Sequence, residues 1–155
     1  MSDEKKQGEI RVRKMEAPDV PFVAELEKEI FPLPWSEEAL QATLTDPHAV
    51  FLVAEPFETE RIVAYAGMYL AADEGEITNV AASPSFRKRG AASLLLKEAV
   101  RIARENKISQ LVLEVRISNE AAIGLYKKTG FEVTGTRKGF YQFPPEDAYI
   151  MIMRL

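Results

Sequence analysis

The chain has 155 residues, 46% hydrophobic and 28% charged, with a formal net charge of −4. These values suit one soluble globular domain with a sizeable core, and the acidic balance disfavours nucleic acid or acidic membranes as bulk partners. The chain contains no cysteine, which excludes thiolate catalysis, disulfides and cysteine-ligated zinc, and no apolar run is long enough to span a membrane.

Met1 to Glu9 is polar and of mixed charge. It resembles neither a signal nor a transit peptide and is expected to be a short frayed arm, residues 1–9, before a single domain over 10–155. Ile10 to Met15 alternates apolar and charged residues, the pattern of a strand with one wet face. Asp19 is the expected cap of a helix running to about Ile30, with Pro21 tolerated in its first turn. Phe22, Leu26, Glu29 and Ile30 are its expected stripe. The run Phe31-Pro32-Leu33-Pro34-Trp35 breaks it. Ser36 then caps a second helix whose Glu37 and Glu38 suit the positive end of the helix dipole. Val50 to Ala54 reads as a strand, Pro56 to Glu60 as a turn and Ile62 to Leu70 as a longer strand.

Ile77 to Ala103 organises the chain. Ile77 to Ala82 is a short β-branched strand ended by Ser83-Pro84-Ser85. Ala92, Leu95, Leu96, Ala99, Val100 and Ala103 then fall on one helical stripe. Between them lies Arg87-Lys88-Arg89-Gly90-Ala91-Ala92, three cations followed by small residues. The first N–H groups of a helix lack helical partners and sit at the positive end of its dipole, so small residues there let an anion approach. A solvated basic loop reads the same way. The spacing is neither a Walker A loop nor GxGxxG, which disfavours nucleotide hydrolysis and dinucleotide redox chemistry.

Leu111 to Val115 is the next strand, interrupted by Glu114. Val112, Glu114 and Arg116 share one face, which either faces water or lines a site. Ser118 or Asn119 caps a helix through Thr129, closed by Gly130. Its Tyr126 lies on a stripe with Ala122 and Leu125, the position of a core aromatic. Phe131 to about Thr136 and Tyr149 to Leu155 are the last strands, with Pro144-Pro145-Glu146-Asp147 in the loop between them. His48, the lone histidine, lacks a G-x-S-x-G elbow or partner ligands, so no metal site is expected.

The strand–Arg87-x-x-Gly90-x-Ala92–helix unit resembles the acetyl-CoA loop of the GNAT N-acetyltransferase superfamily, [RQ]-x-x-G-x-[GA]. The set Leu113-Glu114-Val115-Arg116, Ser118-Asn119, Leu125-Tyr126 and Gly130-Phe131, together with Pro34-Trp35-Ser36 and the ending Glu146 to Met151, is similar to its protein N-terminal acetyltransferases. The resemblance implies an α+β, three-layer α-β-α fold in the order β-α-α-β-β-β-α-β-α-β-β: a mixed seven-stranded sheet with a splayed parallel strand pair and about four helices.

It further implies a cytoplasmic enzyme that uses acetyl-CoA, without metal, nucleic acid or membrane. The implied acceptor is the N-terminal alanine of a ribosomal protein, the eighteenth of the small subunit. The pantetheine arm would lie along Val80, Ala81 and Ala82, with a backbone N–H near Val80 on the thioester carbonyl. Arg87, Lys88, Arg89, Gly90, Ala91, Ala92 and Ser93 would hold the pyrophosphate, and Asn119 and Tyr126 would meet the cofactor near its sulfur end. Glu114 corresponds to the general base and Tyr126 to the general acid. Trp35 and Tyr141 are candidate walls of the peptide groove, with packing as the plainer role of each.

Two departures from the family pattern are Ala91-Ala92, where many relatives carry a second glycine, and Gly139-Phe140-Tyr141, where paired tyrosines are common. A GNAT enzyme with another acceptor (other N-termini, a lysine or a small amine) and a non-catalytic CoA-binding module are the rival expectations.

Overall fold

The computed structural model describes residues 9–59 and 61–155. Thus 1–8, with Lys5 and Lys6, and position 60 lie outside the described residues, as do the side chains of Lys88 and Arg89. The chain forms β1 (Ile10–Lys14), a 3-10 turn (Ala17–Asp19), α1 (Val20–Ile30), α2 (Glu37–Thr43), β2 (Ala49–Pro56), β3 (Ala64–Ala71) and β4 (Glu74–Ala82). A second 3-10 turn (Pro84–Arg89) leads to α3 (Ala91–Glu105), β5 (Gln110–Arg116), α4 (Glu120–Thr129), β6 (Glu132–Gln142) and β7 (Pro145–Arg154). The expected order of elements is the order found.

The seven strands form one sheet, β1-β2-β3-β4-β5-β7-β6. Every neighbouring pair is antiparallel except β4 and β5. Period-two alternation on β2 and β3 feeds a core on each face. Leu52, Ala54, Ala64, Ala66 and Met68 pack with Leu95, Leu96, Ala99, Val100 and Ala103 of α3. Phe51, Val53 and Tyr65 pack with Val20, Val23, Ala24 and Leu26 of α1 and Leu40 of α2. Burial on both faces explains why these strands read as apolar runs.

Several local expectations are corrected. The buried face of α1 is Val20, Val23, Ala24, Leu26 and Glu27, while Phe22 is 57% exposed and Glu29 is exposed. Asp19 does not cap α1 with its side chain. Its carboxylate accepts from both terminal nitrogens of Arg13, at 2.7 and 2.9 Å, because a guanidinium fork satisfies it better than one amide. On α3 the fully buried small residue is Ala91 rather than Ala92, and Ile102 joins the stripe. β6 runs on to Gln142, and Pro145-Glu146-Asp147 belongs to β7. Pairing with β7 carries β6 past an irregularity between Arg137 and Tyr141, where Gly139 takes a φ of 65°. That long-range pairing has no local signal in the polar Arg137-Lys138-Gly139 stretch. Ser36 caps α2 as expected, accepting from Ala39 N–H at 3.1 Å, and of the two candidate caps of α4 it is Asn119 that serves, accepting from Ala122 N–H at 3.2 Å.

Gly67 sits opposite Phe51 on the β2–β3 ladder. A Cβ there would lie 2.5 Å from the Phe51 ring. That ring is hemmed in by Trp35, Tyr65 and Tyr69, with centroids 5.8, 6.2 and 5.8 Å away. Gly67→Ala should therefore lower stability by about 1–3 kcal/mol through overpacking, measured by urea unfolding.

Candidate active site

β4 and β5 pair only over Glu74–Gln110, Gly75–Leu111 and Glu76–Val112. Beyond that rung they part. A cleft of about 450 Å³ opens there, lined by Ile77, Thr78, Asn79 and Val80 of β4 and by Leu113, Glu114, Val115 and Arg116 of β5. It passes through the sheet. Glu27, Phe31 and Trp35 line it from the α1–α2 side, Asn119 and Tyr126 from the α4 side, and Phe140 to Phe143 of the last hairpin line it as well.

Glu114 reaches this cleft because strand alternation turns it away from Leu113 and Val115, which belong to the α3 core. Its side chain is 13% exposed, and its Oε2 lies 3.5 Å from Arg137 Nε. Tyr126 is 8% exposed, with its ring edge-on to Phe131. No hydrogen bond to its hydroxyl is found among the described residues, yet no described buried side-chain oxygen is left unpartnered. The hydroxyl therefore opens onto the cleft. The ring serves the core while its polar end does not.

The acetyltransferase (GNAT) family matches residues 20–131. A putative [ribosomal protein bS18]-alanine N-acetyltransferase of Bacillus subtilis is 37% identical over 141 residues, 90% of this chain and 92% of that protein. The chain belongs to the GNAT family. The N-alpha-acetyltransferase RimI of Mycobacterium tuberculosis is 33% identical over 86% of this chain and 85% of its own length. The crystal structure of the ribosomal-protein-S18-alanine N-acetyltransferase from Escherichia coli superposes with a TM-score of 0.84 at 26% identity, covering 94% of each chain.

The other GNAT-type positions divide in two. Val80, Asn119, Trp35 and Tyr141 line the cleft with Glu114 and Tyr126, whereas Ala81, Ala82, Arg87 and residues 90–93 do not. Ala81 and Ala82 are buried. Ser83 N–H bonds the Val63 carbonyl and Leu70 N–H bonds the His48 carbonyl. Carried along the β2–β3–β4 registers, these bonds turn the backbone groups of Asn79 and Ala81 onto β3 and those of Val80 and Ala82 toward the gap. The Ala82 carbonyl accepts from Arg87 Nε at 3.2 Å, so part of the Arg87 fork is already committed. After the second 3-10 turn, Gly90 takes a φ of 81° and turns the chain into α3. The first helical bond is from Leu94 N–H to the Gly90 carbonyl at 3.0 Å, which leaves the N–H groups of Ala91, Ala92 and Ser93 without helical partners.

The sequence reading missed three supports of the site. Glu27 is 1% exposed, and its carboxylate accepts from Trp35 N–H at 2.8 Å and from the Tyr65 hydroxyl. Its signal was present as the Val20, Val23, Ala24, Glu27 spacing, but the stripe expected on α1 lay on a different face. Arg116 donates to the Phe143 and Pro144 carbonyls, both at 2.8 Å, and to Glu146 at 3.2 Å. Its guanidinium carbon lies 4.2 Å from the Tyr141 ring centre. Glu146 also accepts from Ser118 N–H at 2.7 Å, tying the hairpin to the start of α4. Arg137 is the third, and only folding of β6 onto β7 brings it to Glu114.

Burial pushes the Glu114 carboxyl above the usual range, Glu76 adds to this, and Arg137 opposes it. Burial also raises the Tyr126 phenol, with a smaller push from Tyr141, so its protonated form persists at neutral pH. Removing the like charge with Glu76→Gln should move the Glu114 titration to lower pH. Removing the opposite charge with Arg137→Gln should move it to higher pH. Side-chain carboxyl NMR titration reads both.

Proposed function

We propose that this chain acetylates the α-amine of a protein N-terminus from acetyl-CoA, with the N-terminal alanine of ribosomal protein bS18 as favoured acceptor. The observation that carries this reading is the meeting of Glu114 and Tyr126, a carboxyl of raised pKa and a protonated phenol, on one cleft between two strands. A module that only binds CoA has no use for such a pair. The names of the Bacillus subtilis and Escherichia coli relatives support the acceptor.

The chain's groups fit the donor chemically. The unbonded edge of β4 at Val80 offers its carbonyl as an acceptor to an amide-bearing arm. The free N–H groups at the start of α3 suit a diphosphate. Acetyl-CoA supplies the acetyl group as a thioester, which the acceptor nitrogen takes as the carbon–sulfur bond breaks. Val80 N–H donates to the carbonyl oxygen as charge develops there. An α-ammonium has a pKa near 8 and must lose a proton to attack. Glu114 takes that proton directly or through a water, and its raised pKa suits the task. Tyr126 gives its proton to the departing sulfur and is restored by the second proton that the acylated nitrogen sheds. With no cysteine to carry an acyl group, transfer is direct. Trp35 and Tyr141 flank the acceptor, Tyr141 held in place by Arg116.

A broader choice of N-terminus is the second reading. The Mycobacterium tuberculosis relative bears a name that specifies no first residue. CoA thiol release over peptides differing only in first residue, with N-terminally blocked controls, separates the two. Activity confined to unblocked Ala-initial peptides supports the favoured acceptor, and activity on blocked peptides overturns the α-amine assignment. Glu114→Gln should lower kcat by about 10²–10⁴-fold with acetyl-CoA binding nearly intact. Equal loss of both would make Glu114 a structural residue. Tyr126→Phe should also slow turnover, and an unchanged rate would remove it as the acid.

A further inference from the structure

Three carboxylates are buried among the described residues: Asp19, Glu27 and Glu55. Asp19 is paired with Arg13. Glu55 is paired with both Arg11 and Arg13. Glu27, at 1% exposure the most deeply buried, has no cationic partner among the described residues. A buried carboxylate without a counter-charge is costly, and this one borders the cleft.

Its surroundings hold it in one orientation. Each oxygen accepts one bond, from Trp35 N–H and from the Tyr65 hydroxyl. The Tyr65 oxygen accepts from Asn79 Nδ2 at 2.9 Å, and the Asn79 carbonyl oxygen accepts from Thr78. Thr78 and Asn79 lie on the diverging segment of β4, so the chain of bonds runs from the peptide-side wall at Trp35 to the strand beside the donor. Each Glu27 oxygen keeps a second lone pair for a ligand.

We propose that Glu27 is the counter-charge for the acceptor's chain-terminal ammonium, selecting peptides that arrive with a free, protonated amine. This deepens the acetyl-transfer reading and rests on it. Glu27 draws the cation into the cleft and Glu114 removes its proton. The division of labour has a kinetic signature. A carboxylate that favours the ammonium strengthens acceptor binding without easing deprotonation. Glu27→Gln therefore raises the peptide KM while leaving kcat and the acetyl-CoA KM close to wild type.

The test is binding, read by calorimetry at about pH 6.5, where the amine is mostly protonated. The protein is held as its CoA complex. Two probes are used: an Ala-initial peptide and the same peptide with propanoyl in place of alanyl, which lacks only the amine. The wild type should prefer the amine peptide by about tenfold or more, the scale of one charged hydrogen bond. Glu27→Gln should remove most of that preference by weakening the amine peptide alone. Tyr65→Phe, which loosens the carboxylate without discharging it, should keep the preference. The proposal is overturned if the wild type binds both probes alike, if Glu27→Gln weakens both equally, or if Tyr65→Phe abolishes the preference. The wild-type comparison needs no variant, so a poorly folding Glu27→Gln does not protect the idea. Because the complex contains CoA and no acetyl donor, the result is independent of turnover. Thiol release by the wild type tests the transfer reading separately.

Discussion

Everything in the site depends on one break in hydrogen bonding: β4 and β5 stop pairing after Glu76 and Val112. Backbone groups inside a sheet normally find partners, and leaving them unpaired in a buried place costs about 1–3 kcal/mol each. The chain tolerates the break because each strand is secured on its other side. β3 holds β4 through to Ala82, and β7 holds β5 along its whole length. The cleft is therefore a property of a rigid sheet.

The two sides of the opening are held by different physics. On the α1–α2 side, buried hydrogen bonds through Glu27, Tyr65 and Asn79 join helix to sheet. In a low-dielectric interior such a network is specific in geometry. On the hairpin side, Arg116 gathers two carbonyls, a carboxylate and the face of Tyr141. A planar guanidinium is suited to this, since it donates in several directions while stacking on an aromatic ring. Between these walls stand a carboxyl and a phenol whose surroundings push both toward their protonated forms, by burial above all. Glu114 alone has a nearby cation in opposition, which favours its ionised form. Thus two groups within one cleft are suited to opposite proton transfers.

Much of this was legible in the residues themselves. The element order follows from local signals: β-branched runs, capping Ser36 and Asn119, Gly130 after α4, and the period change after Arg87. The loop Arg87-x-x-Gly90-x-Ala92 and the set around Glu114 and Tyr126 pointed to the family because each forms a motif whose members sit close in sequence. Misreadings arose where partners are far apart. α1 was assigned a face through Phe22 and Glu29, since its apolar residues fit more than one stripe. The choice was made by Tyr65, thirty-eight positions away, whose hydroxyl takes the Glu27 carboxylate. β6 looked finished at Thr136, because only β7 can supply the bonds that extend it.

What the sequence alone determined is therefore the inventory and its order: seven strands, four helices, a small-residue turn into the long helix, and a carboxylate and a phenol in the second half of the chain. What the tertiary structure decided is which of these meet. The separation of β4 from β5, the pairing of Glu114 with Arg137, the hold of Arg116 on the hairpin and the buried Glu27 all arise from contacts between elements remote in sequence. Periodicity and capping are short-range effects that a window of residues records. Desolvation and ion pairing depend on what a folded neighbour excludes or supplies, and no local pattern carries that.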